Sequence, residues 1–458
     1  MTPISLLLFS MMDAITVMNE TLTGVAELRI EGLGAAGDGV AHLDGQSVFI
    51  PGTLPGEEVR VRLASGHPEL IDIVHSSPER VTPPCDLFGE CGGCALQHLS
   101  LPALLEWKSQ RVLHALTAAG FTDLPPARMF QTAPETRRRM DFAVQRVPGG
   151  VIIGLHRRNG DPVDMTECHV LHPAIFELLT PLRDVLGSLG ALTSRGSLMI
   201  NLLDSGPDLT LQTPAPLTSA DRTKLAAFAR EHHLSRISWQ DPKDQGIETV
   251  AHSGAVREEF GGVAVSPPPS AFLQATADAE KAIVTAVLDG LPSLNKKDVT
   301  VELFAGCGTL TFPMSEKGRV MAYEGNLAAA NCLKAAAGGR RVDGFHRDLG
   351  RQPLLPHDLK STRAVVLDPP YAGAGAQTVP LAKSAVPDIV YVSCNPAALE
   401  KDGRVLWNAG FSVIGLTIVD QFLWSTEVEA VVVLSRDAKR IKRESSRRNR
   451  NDPSRSDS

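Results

Sequence analysis

Aromatic residues are scarce: Phe, Trp and Tyr make up 5% of the 458 residues, too few for an extensive platform on which unpaired bases stack. No sign of charge dominates, with 45 Lys and Arg against 52 Asp and Glu and a net charge of −7. That balance argues against a uniformly basic nucleic-acid binder but leaves room for local phosphate-binding patches. Long apolar runs are also missing. The stretch Ile4 to Phe9 has no basic residue before it, as a secretory signal requires, and no later run reaches the roughly 18 apolar residues of a membrane span. A cytoplasmic protein is expected, working as a monomer and without a membrane. Met11, Met12 and Met18 leave the true start open. Seven cysteines in such a chain point to metal binding or catalysis, not to a disulfide framework.

The length is enough for about three domains, and 43% hydrophobic with 21% charged residues is ordinary for a globular protein. Residues 1–23 are expected to be a disordered extension. From 24 to 80, AELRIEGLG, GVAHLDGQSVFIP and GEEVRVRLAS alternate apolar and polar positions between glycine turns, the pattern of a small β-barrel. A proline-rich linker follows. Residues 81–265 read as a central α/β or β-rich domain, with a helix over 101–119 that can pack on the next domain, strands DFAVQRV, GVIIGLH and SLMINLL, and a helix DRTKLAAFAREHH. SPPPS at 266–270 is a break. From there to 436, helices 276–290, 309–317 and 327–337 alternate with strands VTVELF, RVMAYE, AVVLD, DIVYVSC and EVEAVVVLSR, the signature of βαβ units and a parallel sheet. The stretch 437–458, rich in Arg, Lys, Ser and Asn, is expected to be a basic disordered tail.

Strand VTVELF runs into Ala305-Gly306-Cys307-Gly308-Thr309 and then a helix. Glycines there let a ligand approach the backbone at the sheet's carboxyl edge. With no third glycine to cradle a pyrophosphate, S-adenosylmethionine fits better than a dinucleotide. Glu324, at the end of the next strand, is placed to accept bonds from two ribose hydroxyls, and Asp348, past a third strand, to meet an adenine amine. Asp368-Pro369-Pro370-Tyr371 ends a further strand, its prolines fixing an extended backbone. One strand later comes Val392-Ser393-Cys394-Asn395-Pro396. A lone Cys is most often a small core residue, but one in a strand-end turn beside a cofactor loop is a candidate nucleophile. Glu429 lies among apolar neighbours in the last strand, where burying a charge is costly unless a proton has to be moved.

Cys85, Cys91 and Cys94 form C-x5-C-x2-C, and Cys168 lies in DMTECHVLHP. Four thiolates suit zinc or an iron–sulfur cluster, and spacing alone leaves both open. Arg137-Arg138-Arg139, Arg157-Arg158 and the nine basic residues from Arg436 to Arg455 are usually solvated faces; beside an RNA-modifying site they become phosphate contacts.

From about residue 24 to 436 the chain resembles the RNA (uracil-5-)-methyltransferase family. The resemblance rests on Ala271-Phe272-Leu273-Gln274, ELFAGCG at 302–308, Glu324, DPPYAG at 368–373, SCNPAALEKD at 393–402 and VEAVVVL at 428–434. It implies a Rossmann-like class I α/β methyltransferase domain, an N-terminal OB-like TRAM barrel that binds RNA, and a central iron–sulfur α+β domain. It also implies that Gln274, Phe304, Gly306, Glu324, Asp348 and Asp368 line the cofactor or the base, with Cys394 as nucleophile and Glu429 as general base. By resemblance, Cys85, Cys91, Cys94 and Cys168 hold a [4Fe–4S] cluster, and the substrate is RNA, 23S ribosomal in preference to transfer RNA. The chemistry requires such residues. A thiolate adding to C6 of uracil makes C5 nucleophilic toward a methyl sulfonium, and a base then removes the C5 proton so that sulfur can leave. The target base has to be flipped out, and the site is expected to activate the Cys394 thiol. One departure is Tyr371, where the family usually has Arg; DPPY also marks amino-methyltransferases, which need neither the Cys nor the late Glu.

Overall fold

The computed structural model describes residues 24–450 except 65–66, 159 and 244–245. The expected N-terminal extension and residues 451–458 lie outside the described residues. The chain divides into two compact units. One comprises residues up to Gly89 with Gly93–Leu104 and Trp424–Thr426; the other comprises Glu90–Gly92, Leu105–Leu423 and Glu427 onward.

The first unit holds two three-stranded antiparallel sheets. One pairs Gly24–Arg29, Glu58–Ala64 and His67–His75, and the other Gly32–Leu33, Gly39–Leu43 and Gln46–Ile50. The alternation read from the sequence sends Leu28, Ile30, Ala41, Ile50, Val59 and Val61 into one core, because successive side chains of a strand face opposite ways. A buried ion pair closes it: Glu57 receives Arg80 Nε at 2.5 Å and Nη2 at 2.9 Å, and also the Leu54 N–H.

The second unit contains two large sheets. The first, of seven strands, runs in the order Pro162–Asp164, Gly150–His156, Arg139–Val147, Arg195–Leu203, Gly206–Gln212, Arg236–Gln240, Ile247–His252. Its only parallel pairing is Gly206–Gln212 with Arg236–Gln240. Leu179–Ser188 and Ser219–Glu231 supply helices to its core.

The second sheet has eight strands in the order Val342–His346, Arg319–Glu324, Val299–Leu303, Thr362–Leu367, Asp388–Ser393, Glu429–Ser435, Ser412–Asp420, Arg128–Gln131. The first five are parallel, whereas Glu429–Ser435 is antiparallel to both neighbours. Its strands are near-continuous Val, Ile and Leu because both faces are covered, each such side chain contributing about 1.5–3 kcal/mol when fully buried. The chain moves outward from Val299–Leu303 on one side and returns to Thr362–Leu367 on the other. That reversal places a crevice at the carboxyl ends of these two strands, where ligands bind in open α/β sheets.

Two features depart from the sequence reading, and the packing of the helix over 101–119 agrees with it. Arg128–Gln131, inside the stretch assigned to the central domain, is the edge strand of the C-terminal sheet and pairs with Ser412–Asp420. The helix Leu101–Ala119 sends Val112, Leu116 and Ala119 into that sheet's core. The disorder expected from residue 437 is corrected for its first part: Ala438–Arg450 is a helix. Ile441 packs on the core, and Arg440 is drawn inward, donating from Nη2 to the Gly290 carbonyl at 2.7 Å with Nη1 2.8 Å from Asp388. No helix among the described residues is long and apolar enough to cross a membrane.

Candidate active site

The loop after Val299–Leu303 turns sharply. Phe304 takes φ 64° and Gly306 φ 55°; for a phenylalanine that conformation costs about 1–3 kcal/mol and is kept only where the surroundings enforce it. The loop is tied to the neighbouring strand twice, by Ala305 N–H to the Tyr323 carbonyl at 3.0 Å and by Gly306 N–H to Glu324 Oε2 at 2.8 Å. A side chain on Gly308, φ 108°, would lie 2.4 Å from the Phe312 ring, while one on Gly306 would meet nothing within 4 Å. Open space over Gly306, an ionisable Glu324 beside it and acidic neighbours beyond it fit a cationic nucleoside such as S-adenosylmethionine. Glu324 Oε1 also receives the Asn326 N–H at 2.5 Å, so the carboxylate anchors the loop through both oxygens. Asp348 is exposed and caps its own turn, accepting from the N–H groups of Gly350 at 3.0 Å and Arg351 at 3.1 Å. Its Cα is 3.7 Å from where a Gly325 Cβ would be, which puts it next to Glu324.

Across the crevice the other expected residues are linked by amides. Gln274, 3% exposed, donates from Nε2 to Asp368 Oδ2 at 3.2 Å. Its Oε1 accepts from Gln421 Nε2 at 2.7 Å, and the same Gln421 nitrogen donates to Glu429 Oε2 at 2.9 Å. Gln421 Oε1 in turn accepts the Ala275 N–H at 2.8 Å. Asp368 and Glu429, on two strand ends, are thus joined through two buried carboxamides. The second of these, Gln421, was not singled out in the sequence; an amide after a strand-end Asp carries no local signal. Asp420 beside it is held by Lys108, whose Nζ lies 2.6 Å from Asp420 Oδ1 and donates to the Phe422 carbonyl at 2.9 Å. Both side chains of that pair are fully buried.

Burial governs the charges here. It raises the Asp368 carboxyl to about 7. Burial, reinforced by Asp368, lifts Glu429 well above the usual carboxylate range. Glu429 Oε1 is buried without a hydrogen-bond partner among the described residues. Glu302 is lifted to about 8 by burial and accepts from the Thr311 hydroxyl. Cys394 stands half-buried where its strand ends. Burial, with Glu429 and Asp368 facing it, pushes its thiol up to about 12. The surroundings themselves supply no activation of the thiol: burial comes first among the causes that disfavour the thiolate, ahead of the neighbouring carboxyl groups. Tyr371 is 59% exposed, and its carbonyl receives the Asn395 Nδ2 at 2.9 Å, which ties the DPPY turn to the Cys394 turn.

Family models match at both ends of the chain: a TRAM domain over residues 24–68 and tRNA (Uracil-5-)-methyltransferase over 351–437. An uncharacterized RNA methyltransferase of Brucella suis is 38% identical, with 92% of this chain and 99% of the relative covered. The 23S rRNA (uracil(1939)-C(5))-methyltransferase RlmD of Alkalilimnicola ehrlichii is 31% identical over 90% of this chain and 97% of its own length. The chain belongs to the RNA (uracil-5-)-methyltransferase family. Its fold is that of the Pyrococcus abyssi tRNA (uracil-54, C5)-methyltransferase crystallised with S-adenosyl-L-homocysteine, with a TM-score of 0.66, 20% identity, and 89% of this chain and 100% of that one covered.

Two other expectations for this methyltransferase fare differently. None of its seven cysteines is in a disulfide, and Cys91 and Cys168 both pack against the core of the seven-stranded sheet. Among the described residues, no three His, Cys, Asp or Glu side chains are grouped to hold a metal ion. The basic run at 137–139 is also not a simple phosphate face. Arg138 is 7% exposed and braces the Gln274 segment, with Nη1 2.8 Å from Glu258, Nη2 2.6 Å from Glu280 and Nε donating to the Gln274 carbonyl at 3.3 Å. Arg139 lies over the exposed ring of Phe272, 5.4 Å from its centre.

Proposed function

We propose that this protein transfers a methyl group from S-adenosylmethionine to C5 of a uridine in RNA, with Cys394 as nucleophile and Glu429 as general base. The observation that carries this is a strand-end thiol facing two buried carboxyl groups, Asp368 and Glu429, which are linked through Gln274 and Gln421. When bound, S-adenosylmethionine supplies an electrophilic methyl and a positive sulfonium. A positive charge in the crevice favours the ionised forms of both carboxyl groups. As Cys394 sulfur bonds to C6 of the flipped uracil, its proton passes to Asp368, the less strongly raised of the two acids, and the ring's electrons move to O4 as an enolate. C5 then takes the methyl as the bond between that methyl and the donor sulfur breaks, its electron pair staying on the sulfur, which leaves neutral. Glu429 removes the C5 proton, the C5–C6 double bond reforms, and the sulfur–C6 bond breaks with its electrons returning to Cys394. Gln274 and Gln421 hold the two acids apart and in register throughout.

The RNA is inferred to be 23S ribosomal RNA, supported by the RlmD relatives, in a cytoplasmic enzyme. A [4Fe–4S] cluster on Cys85, Cys91, Cys94 and Cys168 belongs to the same proposal on the family resemblance, donor type and spacing fitting zinc equally well; metal-binding side chains commonly gather only as the metal binds. Iron analysis of anaerobically purified protein decides it: about four irons per chain support the cluster, and stoichiometric zinc overturns it.

The test of function is nucleoside analysis of RNA from cells lacking the protein, after incubation with enzyme and S-adenosylmethionine. 5-Methyluridine is expected, and Cys394→Ala abolishes it. Glu429→Gln should accumulate a methylated protein–RNA adduct that survives denaturing electrophoresis. A methylated exocyclic amine, with no adduct from any variant, overturns the proposal in favour of DPPY-type amino-group chemistry.

A further inference from the structure

An open groove of about 990 Å³ lies along the helix Ala438–Arg450, away from the thiol. Its floor is Ile414–Thr417 of the strand Ser412–Asp420, where the pairing register slips between Val413 and Gly415. Five arginines line it, Arg128, Arg440, Arg443, Arg447 and Arg448, against two carboxylates, Asp289 and Glu444. In a chain whose net charge is −7, this concentration of one sign is local. Arg128 pairs with Asp289 at 2.8 Å, Arg440 with Asp388 at 2.8 Å, and Arg448 lies 3.8 Å from Asp123, yet individual guanidinium donors remain unused. Arg440, 7% exposed, and Arg448 each keep a buried Nε without a hydrogen-bond partner among the described residues. Arg443 and Arg447 share one carboxylate, Glu444, at 3.0 and 3.4 Å, and their side chains are 51% and 62% exposed.

We infer that this groove holds phosphates of the RNA substrate at a distance from the uridine that reacts. The inference rests on the proposed RNA activity. Planar, forked guanidinium donors suit phosphate oxygens, and five arginines around an open groove of this volume fit a chain of phosphates better than one small anion. The strand that forms the floor continues to Asp420 and Gln421 at the reaction centre. Six residues separate Gly415 from Gln421, roughly 20 Å at about 3.3 Å per residue. Phosphate contacts there orient the RNA without reading its sequence, so the uridine would be selected at the crevice and the surrounding RNA held by the groove.

The test uses the full-length protein and a fluorescein-labelled RNA hairpin with an unpaired uridine, its affinity followed by anisotropy between about 50 and 200 mM salt. Arg443→Ala/Arg447→Ala should weaken binding roughly tenfold or more and lower the slope of log affinity against log salt by about 2, near 1 per lost phosphate contact. S-adenosylmethionine affinity and the melting temperature should stay at the wild-type values. Arg443→Lys/Arg447→Lys should recover most of the slope, because the charge is restored. Unchanged affinity and slope in the alanine variant, with wild-type RNA binding intact, overturn the groove and leave the methyltransferase reading standing. If wild-type protein neither binds nor methylates RNA, the functional proposal falls, and the groove with it.

Discussion

Gln421 offers the sharpest test of how the site is tuned. Gln421→Leu keeps the side chain's volume and removes three bonds: to Ala275 N–H at 2.8 Å, Gln274 Oε1 at 2.7 Å and Glu429 Oε2 at 2.9 Å. The Ala275 amide, left buried without an acceptor, should cost about 1–3 kcal/mol of stability. The bond to Glu429 matters differently, because it favours the ionised carboxylate and is one of the influences drawing its pKa down. A hydrogen bond to a charged group is worth about 1.5–3 kcal/mol, so its loss should raise the Glu429 pKa further, disfavouring the ionised base by that free energy. The base must be ionised to take the C5 proton. The rising limb of the rate against pH should therefore move upward, and resolution of the covalent adduct near neutral pH should slow roughly 10–100-fold. Single-turnover assays across pH, with thermal melting in parallel, separate the two effects. A destabilised variant whose pH–rate limb has not moved would refute the reasoning and reduce Gln421 to a packing residue.

Other outcomes follow from the same charges. Binding S-adenosylmethionine near neutral pH should release up to about one proton, because a cation beside Asp368 and Glu429 favours their ionisation; the neutral S-adenosylhomocysteine should release none. Calorimetry in buffers of different ionisation enthalpy measures this, and equal release by both ligands would rule it out. Glu302→Gln should flatten the pH dependence of stability. The folded-state pKa is raised from 4.5 to about 8, so this group's contribution is complete below pH 4.5 and is lost as pH rises toward 8; melting temperatures across that window report it, and an unaltered slope would count against the assignment. Glu324→Ala should weaken S-adenosylmethionine binding by about 2–3 kcal/mol, since it loses charge-assisted bonds to the ligand and frees the Gly306 and Asn326 amides; unchanged affinity by calorimetry would place the cofactor elsewhere.

The sequence by itself determined where the candidate site residues sit along the chain and their local settings. Apolar runs ending in Gly, Pro or Asp mark where parallel strands stop, so Gly306, Glu324, Asp368 and Cys394 could all be assigned to strand ends before any fold was known. Period-two alternation marked the strands of the first unit, and the apolar spacing of 101–119 gave its helix at the observed limits, Leu101–Ala119. Only tertiary structure could decide what depends on distant parts of the chain meeting. Arg128–Gln131 pairs with a strand nearly three hundred residues later, and a short edge strand carries no periodicity strong enough to assign it to a sheet. Lys108, a polar residue on an otherwise ordinary helix, is fully buried only because Asp420 reaches it. The polar tail from 437 lacked enough apolar surface to predict order, yet Arg440 found Asp388 and the Gly290 carbonyl in a neighbouring layer. The environment that raises the Cys394 pKa was decided in the same way. A thiol's sequence neighbours say what it is able to attack, but its pKa depends on the dielectric and the charges that folding assembles around it, and here folding assembled two carboxyl groups.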